Sequence, residues 1–135
     1  HEEHLSTLIN TLNKAKSSVF IFKDYGDSVK KTGLTFTDNL EVFDGNTQLD
    51  DSFDALITLG GDGTILRAFN LIKHLSIPIL GINLGRLGFL ATVQKNEIPD
   101  AIAAFLKSDY TIDERVMLKV ESNEKSTKFT VQRIG

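Results

Sequence analysis

The sequence predicts an α/β fold: an open, mostly parallel Rossmann-like sheet with helices on both faces, plus the start of an antiparallel β domain. Over residues 1–110, short apolar runs typical of buried strands alternate with segments of helical periodicity. Apolar and polar residues then alternate along Tyr110–Glu121 and Lys128–Ile134, around the polar stretch Ser122–Thr127, which predicts a hairpin. We therefore expect an α/β domain at 1–110 and the start of a truncated or incomplete all-β domain at 111–135.

The first half of the α/β region supplies one helix and two short strands. Residues 2–16 place their apolar side chains on one face of a 3.6-residue repeat, which predicts an amphipathic helix. The apolar run at 18–23 predicts a buried strand, and Leu40–Phe43 predicts a shorter one. The polar stretches 24–39 and 44–52 predict loops.

A strand–turn–helix–strand unit follows. Ala55–Leu59 predicts a buried strand that runs directly into a glycine turn at 60–63. Thr64–His74 has helical periodicity, and Ile77–Ile82 predicts the next buried strand. Two such strands separated by a helix imply parallel pairing in one sheet.

A glycine-containing loop and a further helix complete this domain. Gly85 and Gly88 mark the loop that follows the second strand of the unit. Asn96 is expected to cap a helix over Glu97–Lys107, with Pro99 in its first turn.

Composition and charge exclude several classes of protein. The 135-residue chain has a formal net charge of −3, is 41% hydrophobic and contains no cysteine. A slightly acidic chain gives no support for nucleic-acid binding, and the lack of cysteine excludes disulfides, Cys-based zinc sites and thiol nucleophiles. No apolar run reaches the roughly 18 residues of a membrane span, so we expect no membrane partner. The histidines form no metal pattern, and we assign no metal-ligating residue.

Leu59–Thr64 is the candidate functional site, because ligands of open α/β sheets bind at the carboxyl ends of the strands. Glycines let the backbone turn sharply there, and free N–H groups with a helix N-terminus make an anion site. Asp62 would repel an anion unless it accepts a proton from an attacking hydroxyl or helps to hold a metal. The alternative is that Asp62 only caps a helix that begins near Thr64.

Three segments carry a resemblance to a known family. Gly60–Thr64, with the letters Gly-Gly-Asp-Gly-Thr, resembles the signature of the NAD kinases, and related motifs occur in lipid kinases and 6-phosphofructokinases. Pro78–Leu90 closely resembles the segment that follows in NAD kinases and lacks the Gly-Thr-x-Asn-Asp type of sequence of a lipid kinase. Asp113–Leu118 resembles the family's entry into its second domain. The resemblance covers about residues 54–121.

The resemblance implies a transferase that moves the γ-phosphoryl group of ATP to the 2′-hydroxyl of the adenosine ribose of NAD, giving NADP. In this family pattern Asp62 matches the general base. The positions that match nucleotide-binding residues are Gly61, Asp62, Gly63, Thr64, Arg67, Phe89 and Leu90. Alternatives stay open for three of them: a solvated helix residue for Arg67, a core side chain for Phe89 and a helix cap for Thr64. Asn83 and Arg86 are assigned first to loop architecture.

The implied small-molecule partners are ATP with Mg²⁺, and NAD as the substrate, with the metal held mostly by phosphates. The implied location is the cytoplasm, and the implied assembly is a homo-oligomer, either a dimer or a tetramer. Two other functions stay open: a truncated, non-catalytic nucleotide-binding domain, and another kinase of the diacylglycerol kinase and phosphofructokinase superfamily.

The sequence also departs from the family's pattern. In that pattern an Asn-Glu pair and a later glycine- and threonine-rich segment complete the site from a second domain, and neither occurs here in its family context. The sequence begins at His1, without Met and already within a helical pattern, as a cut or incomplete sequence would. We expect these residues to hold the catalytic base and half of the dinucleotide site, and to bind weakly and turn over slowly by themselves.

Overall fold

The fold is α/β, as the sequence predicts. A computed structural model describes residues 2–31, 33, 40–44, 49–122 and 129–134. The helices are α1 (Glu2–Lys14), α2 (Gly26–Lys31), α3 (Asp62–Ile72) and α4 (Ile98–Leu106), with 3₁₀ turns at Lys23–Tyr25 and Lys95–Glu97. The strands are β1 (Val19–Phe22), β2 (Leu40–Phe43), β3 (Leu56–Gly60), β4 (Ile79–Asn83), β5 (Val93–Gln94), β6 (Met117–Ser122) and β7 (Phe129–Ile134).

Two parallel sheets form the α/β part of the chain, which confirms the predicted parallel pairing. One sheet pairs β1 with β2, and the other has the order β3–β4–β5 with β4 in the centre. β3 and β4 pair in parallel from Leu56 opposite Ile79 to Gly60 opposite Asn83. Since α3 is the crossover between these two strands, β3–α3–β4 is a βαβ unit.

Helices cover both faces of the three-stranded sheet. Ile82 of β4 is fully buried in a cluster with residues of α1 and α4. At the preceding residue, Gly81, a Cβ would point directly at Ile65 of α3. Because successive residues of a strand point to opposite faces, α3 lies on the face opposite α1 and α4.

The apolar face of α1 explains where this helix packs. Leu8 and Leu12 lie four residues apart, which places them on the same side of the helix. They form the main core cluster with three fully buried isoleucines, Ile82, Ile98 and Ile102. Burying one side chain of this size stabilises a fold by about 1.5–3 kcal/mol, so this cluster fixes α1 and α4 against the strand ends of the sheet.

The predicted loop at 24–39 is wrong over its first half, because Lys23–Tyr25 form a 3₁₀ turn and Gly26–Lys31 form α2. The reason is tertiary packing: Val29 is fully buried against Ile9 and Ile21 in a second core cluster. A single apolar residue in a polar stretch gives little periodicity, so the sequence does not reveal the helix. Residues 32 and 34–39 lie outside the described residues.

The predicted N-cap at Asn96 is also wrong. Asn96 lies within the 3₁₀ turn, and Glu97 is the N-cap of α4, whose first turn contains Pro99 as predicted. The backbone N–H of Gln94 donates to the Glu97 carboxylate at 2.8 Å, so the chain turns before the helix begins. The short strand β5 that leads into this turn was not predicted, because two residues give no periodicity.

The C-terminal part forms an antiparallel pair, as predicted, between β6 and β7. The first strand begins at Met117 and not at Tyr110, and residues 109–116 are neither helix nor strand. The loop predicted at 44–52 has neither helix nor strand among its described residues, while 45–48 and the hairpin residues 123–128 lie outside them. That residues 111–135 start a separate all-β domain stays a prediction.

Within the described ranges, each helix is too short or too polar to cross a bilayer.

Two substitutions on α4 test the position of the core. Ile102 is fully buried, whereas Leu106, one turn further along the same helix, is 47% exposed. Truncating the first leaves a cavity, so we expect Ile102→Ala to lower the free energy of unfolding by about 2–5 kcal/mol in urea denaturation. Leu106→Ala is the matched control and should cost less than about 1 kcal/mol. Equal costs would contradict the packing of α4 described above.

Candidate active site at the strand ends

The candidate site lies where β3 and β4 end. Gly60 and Asn83 are the last residues of these strands and pair with each other. The backbone N–H of Leu84 donates to the Gly60 carbonyl at 3.3 Å, which carries the strand pairing one residue further. The start of α3 and the loop 84–92 therefore meet at the same carboxyl edge of the sheet, where open α/β sheets bind their ligands.

The turn from β3 into α3 requires glycine at its first position. Gly60 has a φ of +155°, a conformation that side chains with a Cβ rarely adopt. A Cβ there would also lie 3.0 Å from the Thr64 Cβ and closer still to its hydroxyl oxygen. The absence of a side chain thus lets the strand turn into the helix with only Gly61 between them.

The helix begins two residues earlier than the sequence predicts, and this excludes both capping alternatives. Gly61 is the N-cap of α3 and Asp62 is its first helical residue. Asp62 and Thr64 therefore lie inside the helix, and neither occupies the cap position. The interpretation of Asp62 and Thr64 as helix caps is wrong, so their side chains are free for other contacts.

The Asp62 carboxylate binds the backbone of the loop 84–92, which we call the second loop. One oxygen, Oδ2, accepts a hydrogen bond from the N–H of Phe89 at 2.8 Å. The other, Oδ1, accepts from the N–H groups of Leu90 at 2.9 Å and Ala91 at 3.1 Å. We call this arrangement the amide seat of Asp62; it joins residues nearly thirty positions apart.

The amide seat keeps Asp62 ionised. Hydrogen bonds from the backbone of Phe89, then Leu90, then Ala91 lower the pKa of the Asp62 carboxyl, and partial burial opposes them only weakly. Donors to the charged form of a carboxylate favour that form, and the positive end of the α3 dipole acts in the same direction. Asp62 is therefore a hydrogen-bond acceptor throughout the neutral pH range.

Phe89 lies at the surface, so its interpretation as a core side chain is wrong. The residue is 89% exposed, although its backbone N–H is held by Asp62. Its neighbour Leu87 is 61% exposed, while Leu90 is half-buried. An aromatic ring on an anchored backbone is available to pack against a ligand.

Arg67 lies one turn along α3 from the glycine turn. Its guanidinium donates to the Thr64 hydroxyl at 3.3 Å, and a Cβ on Gly63 would lie 3.6 Å from Nη1. The side chain is exposed, as its interpretation as a solvated helix residue requires. In this position the positively charged guanidinium of Arg67 lies beside the first turn of α3, where Gly61 and Gly63 are exposed.

Asn83 holds the loop together, which confirms its assignment to loop architecture. It is 3% exposed, its side-chain amide donates to the Arg86 carbonyl at 2.6 Å, and its oxygen accepts from the Gly85 N–H at 2.8 Å. Arg86 takes part through its carbonyl, and its side chain is exposed. The polar group of a buried amide is thereby satisfied from both sides.

The sequence did not single out the backbone amides of Leu90 and Ala91 as partners of Asp62. A backbone donor has no signature in the letters, since every residue except proline carries one. The signal that could have found them is topological. Because β3 and β4 were predicted as parallel neighbours, the loop after the second strand had to pass Asp62, which follows the first.

A cavity of about 340 Å³ opens beside Gly60 on the side of α1 and α2. Its walls are Glu2, Leu5, Tyr25, Ser28, Leu59, Gly60 and Leu84. A volume of this order is typical of small-molecule sites. The cavity borders the end of β3 through Leu59 and Gly60 and the start of the loop 84–92 through Leu84.

Among the residues that the structure describes, no group of three or more His, Cys, Asp or Glu side chains could hold a metal ion.

The chain is an α/β protein with a glycine turn, a helix N-terminus and an anchored loop at the carboxyl ends of its parallel strands, which is where open α/β folds bind their ligands. The family described as "ATP-NAD kinase N-terminal domain" matches residues 3–110 of this chain. The chain therefore belongs to the NAD kinase family.

Individual relatives agree with this assignment. The chain is 45% identical over 121 residues to the NAD kinase of Flavobacterium psychrophilum, covering 90% of this chain and 41% of that protein. It is 36% identical over 124 residues to the NAD kinase of Christiangramia forsetii, covering 92% of this chain and 42% of that protein. The chain thus spans about two fifths of the length of these relatives.

A solved structure supports the fold. The crystal structure of yeast NADH kinase complexed with NADH superposes with a TM-score of 0.70, covering 98% of this chain and 42% of that one. Sequence identity is 21%, so this likeness shows the shared fold.

The amide seat predicts a linked titration. Since the folded-state pKa of Asp62 lies below the ordinary value of about 3.9, the stability from the seat is fully present above that value. It is lost as the pH falls through the lowered folded-state pKa. We expect the Asp62 carboxyl carbon and the amides of residues 89–91 to titrate with one midpoint below about 3.9 in NMR spectra.

The control for this titration is Asp62→Asn, in which the common transition of the three amides should be missing. If the amide resonances of residues 89–91 did not shift as Asp62 is protonated in the unsubstituted protein, the amide seat would not form in solution.

Proposed function

We propose that the complete protein is an NAD kinase, which transfers the γ-phosphoryl group of ATP to the 2′-hydroxyl of the adenosine ribose of NAD and so forms NADP. Family membership supports this proposal. The observation that carries it is the amide seat, because it holds an ionised carboxylate at the strand ends beside the exposed ring of Phe89. A truncated, non-catalytic domain and a lipid or sugar kinase are less favoured, since the similar proteins are NAD kinases.

Asp62 acts as the acceptor for the substrate hydroxyl in this proposal. A carboxylate has about four lone-pair positions, and three are used by the amides, which leaves one for the 2′-hydroxyl. As the 2′-oxygen bonds to the γ-phosphorus, the bond from that phosphorus to the leaving ADP oxygen breaks, and the hydroxyl proton passes to Asp62. Phosphoryl transfer depends mainly on positioning and charge stabilisation, so a lowered pKa is compatible with this role.

The other predicted residues would bind the dinucleotide. The Phe89 ring would stack on the adenine, with Leu90 beside it. Exposed backbone at Gly61 and Gly63, with the Thr64 hydroxyl, would hydrogen-bond to phosphate oxygens at the N-terminus of α3. The Arg67 guanidinium would neutralise pyrophosphate charge.

The phosphoryl donor would be ATP with Mg²⁺. Since the described residues contain no cluster of metal ligands, the metal would be carried by the phosphates of ATP. Further groups for both substrates would come from the part of the relatives' length that this chain does not span. A cytoplasmic location and a homo-oligomeric assembly stay predictions.

Replacing the carboxylate tests the proposed chemistry. We expect Asp62→Asn in the full-length protein to lower kcat by about 10²–10⁴-fold, because proton acceptance and orientation are both lost. The measurement is NADP formation from NAD and ATP. Asp100→Asn is the matched control, since Asp100 is exposed on α4, and it should keep full activity. Unchanged turnover of Asp62→Asn would refute the base assignment, and NAD binding without turnover by the unsubstituted protein would favour a binding domain.

Removing the ring tests the proposed adenine contact. We expect Phe89→Ala to raise the KM for NAD roughly tenfold, since stacking a base on an aromatic side chain is worth about 1–3 kcal/mol. The KM for ATP should stay within about twofold. Leu87→Ala, which removes an exposed apolar side chain from the same loop, should leave both constants near their original values. Equal effects of the two substitutions would contradict a specific stacking role.

A further inference from the structure

Gly88 lies directly against the carboxylate of Asp62, with no room between them for a side chain on residue 88. A Cβ on Gly88 would lie 2.6 Å from both Cγ and Oδ2 of Asp62, and closer still to Oδ1. Real Cβ atoms essentially never approach other heavy atoms within 3.0 Å. A methyl group at residue 88 and the seated carboxylate therefore cannot occupy their present positions together.

The backbone gives no reason for glycine at this position. The described glycines with positive φ are Gly33 and Gly60, so Gly88 has a conformation that alanine also adopts. The requirement for glycine comes from the neighbouring carboxylate alone.

Gly85 in the same loop shows the contrast. A Cβ on Gly85 would have its nearest described atom, Oδ1 of Asn83, at 4.0 Å, which is an ordinary van der Waals contact. Alanine fits there without displacing any of these neighbours. The chain thus offers two glycines three residues apart, of which only Gly88 lies against Asp62.

We propose that Gly88 is a positioning residue of the reaction: by lacking a side chain it lets the Asp62 carboxylate enter the amide seat, and so places that carboxylate against the backbone that carries the Phe89 ring. The proposal rests on the proposed function. Asp62 binds the backbone N–H of Phe89 directly, so the carboxylate is joined to the backbone from which the ring projects.

The substrate explains why this placement matters. Adenine and the 2′-hydroxyl belong to the same nucleoside, so a ring that stacks on the base and an acceptor for the hydroxyl must lie at a fixed separation. A methyl group at residue 88 would push the Asp62 carboxylate off its amides, because the end of a side chain moves more easily than the backbone of residue 88. A misplacement of about 1 Å costs on the order of 10²-fold in rate.

The kinetic test compares Gly88→Ala with Gly85→Ala in the full-length protein. For Gly88→Ala we expect kcat/KM for NAD to fall on the order of 10²-fold, with kcat lowered, KM for NAD raised, and KM for ATP within about twofold. Gly85→Ala should stay within about twofold on every constant. A Gly88→Ala protein with the original kcat and KM for NAD would overturn the proposal, as would equal losses in both variants.

An NMR titration gives a second readout that does not depend on activity. In Gly88→Ala the pKa of Asp62 should return toward the ordinary aspartate value, and the amides of residues 89–91 should no longer follow its protonation. An unchanged pKa with the same amide response would overturn the steric argument. If the full-length protein formed no NADP, the proposed function would fail, while this titration would still decide whether Gly88 controls the seat.

The double variant Asp62→Ala/Gly88→Ala covers the case in which Gly88→Ala does not fold. Without the carboxylate there is nothing for the methyl to displace, so adding Gly88→Ala to Asp62→Ala should change neither stability nor NAD affinity. The proposal would be overturned if Gly88→Ala lowered stability and NAD affinity as much in the Asp62→Ala protein as in the unsubstituted protein. A double variant that is still unfolded would also overturn it.

Discussion

The site depends on one short-range interaction, the carboxylate of Asp62 on the backbone amides of residues 89–91. It reconciles two features that conflict in the sequence. An acidic residue in the middle of an anion-binding turn repels phosphate, yet here its charge is engaged by the second loop. In the proposed function, the exposed backbone at Gly61 and Gly63 would bind phosphate while the Asp62 carboxylate would accept from the ribose hydroxyl.

The remainder of the fold can be understood as support for this contact. The parallel pairing of β3 with β4 brings Gly60 opposite Asn83, and Asn83 in turn holds the turn at Gly85 and Arg86 through its side chain. The cluster around Ile82 fixes α1 and α4 against the sheet. Rigid elements thus determine where the Asp62 carboxylate and the exposed Phe89 side chain are presented.

The sequence predicts the βαβ unit and the place of Asp62 because both arise from local signals. An apolar run, a glycine turn and helical periodicity follow one another within about twenty residues. It does not predict α2, whose position depends on burial of Val29 against residues distant in the chain. Nor does it predict that Phe89 is exposed, since an aromatic residue in an apolar stretch is typical of a core as well.

The register of β3 against β4 carries one more consequence. A slip of one residue would shift the second loop along the sheet by about 3.3 Å and turn its strand's side chains to the opposite face. Asp62 would then face a different part of the backbone, and Asn83 would no longer lie opposite Gly60. A chain that pairs these strands wrongly would not place the Asp62 carboxylate on the amides of residues 89–91, so this contact depends on correct pairing of the sheet.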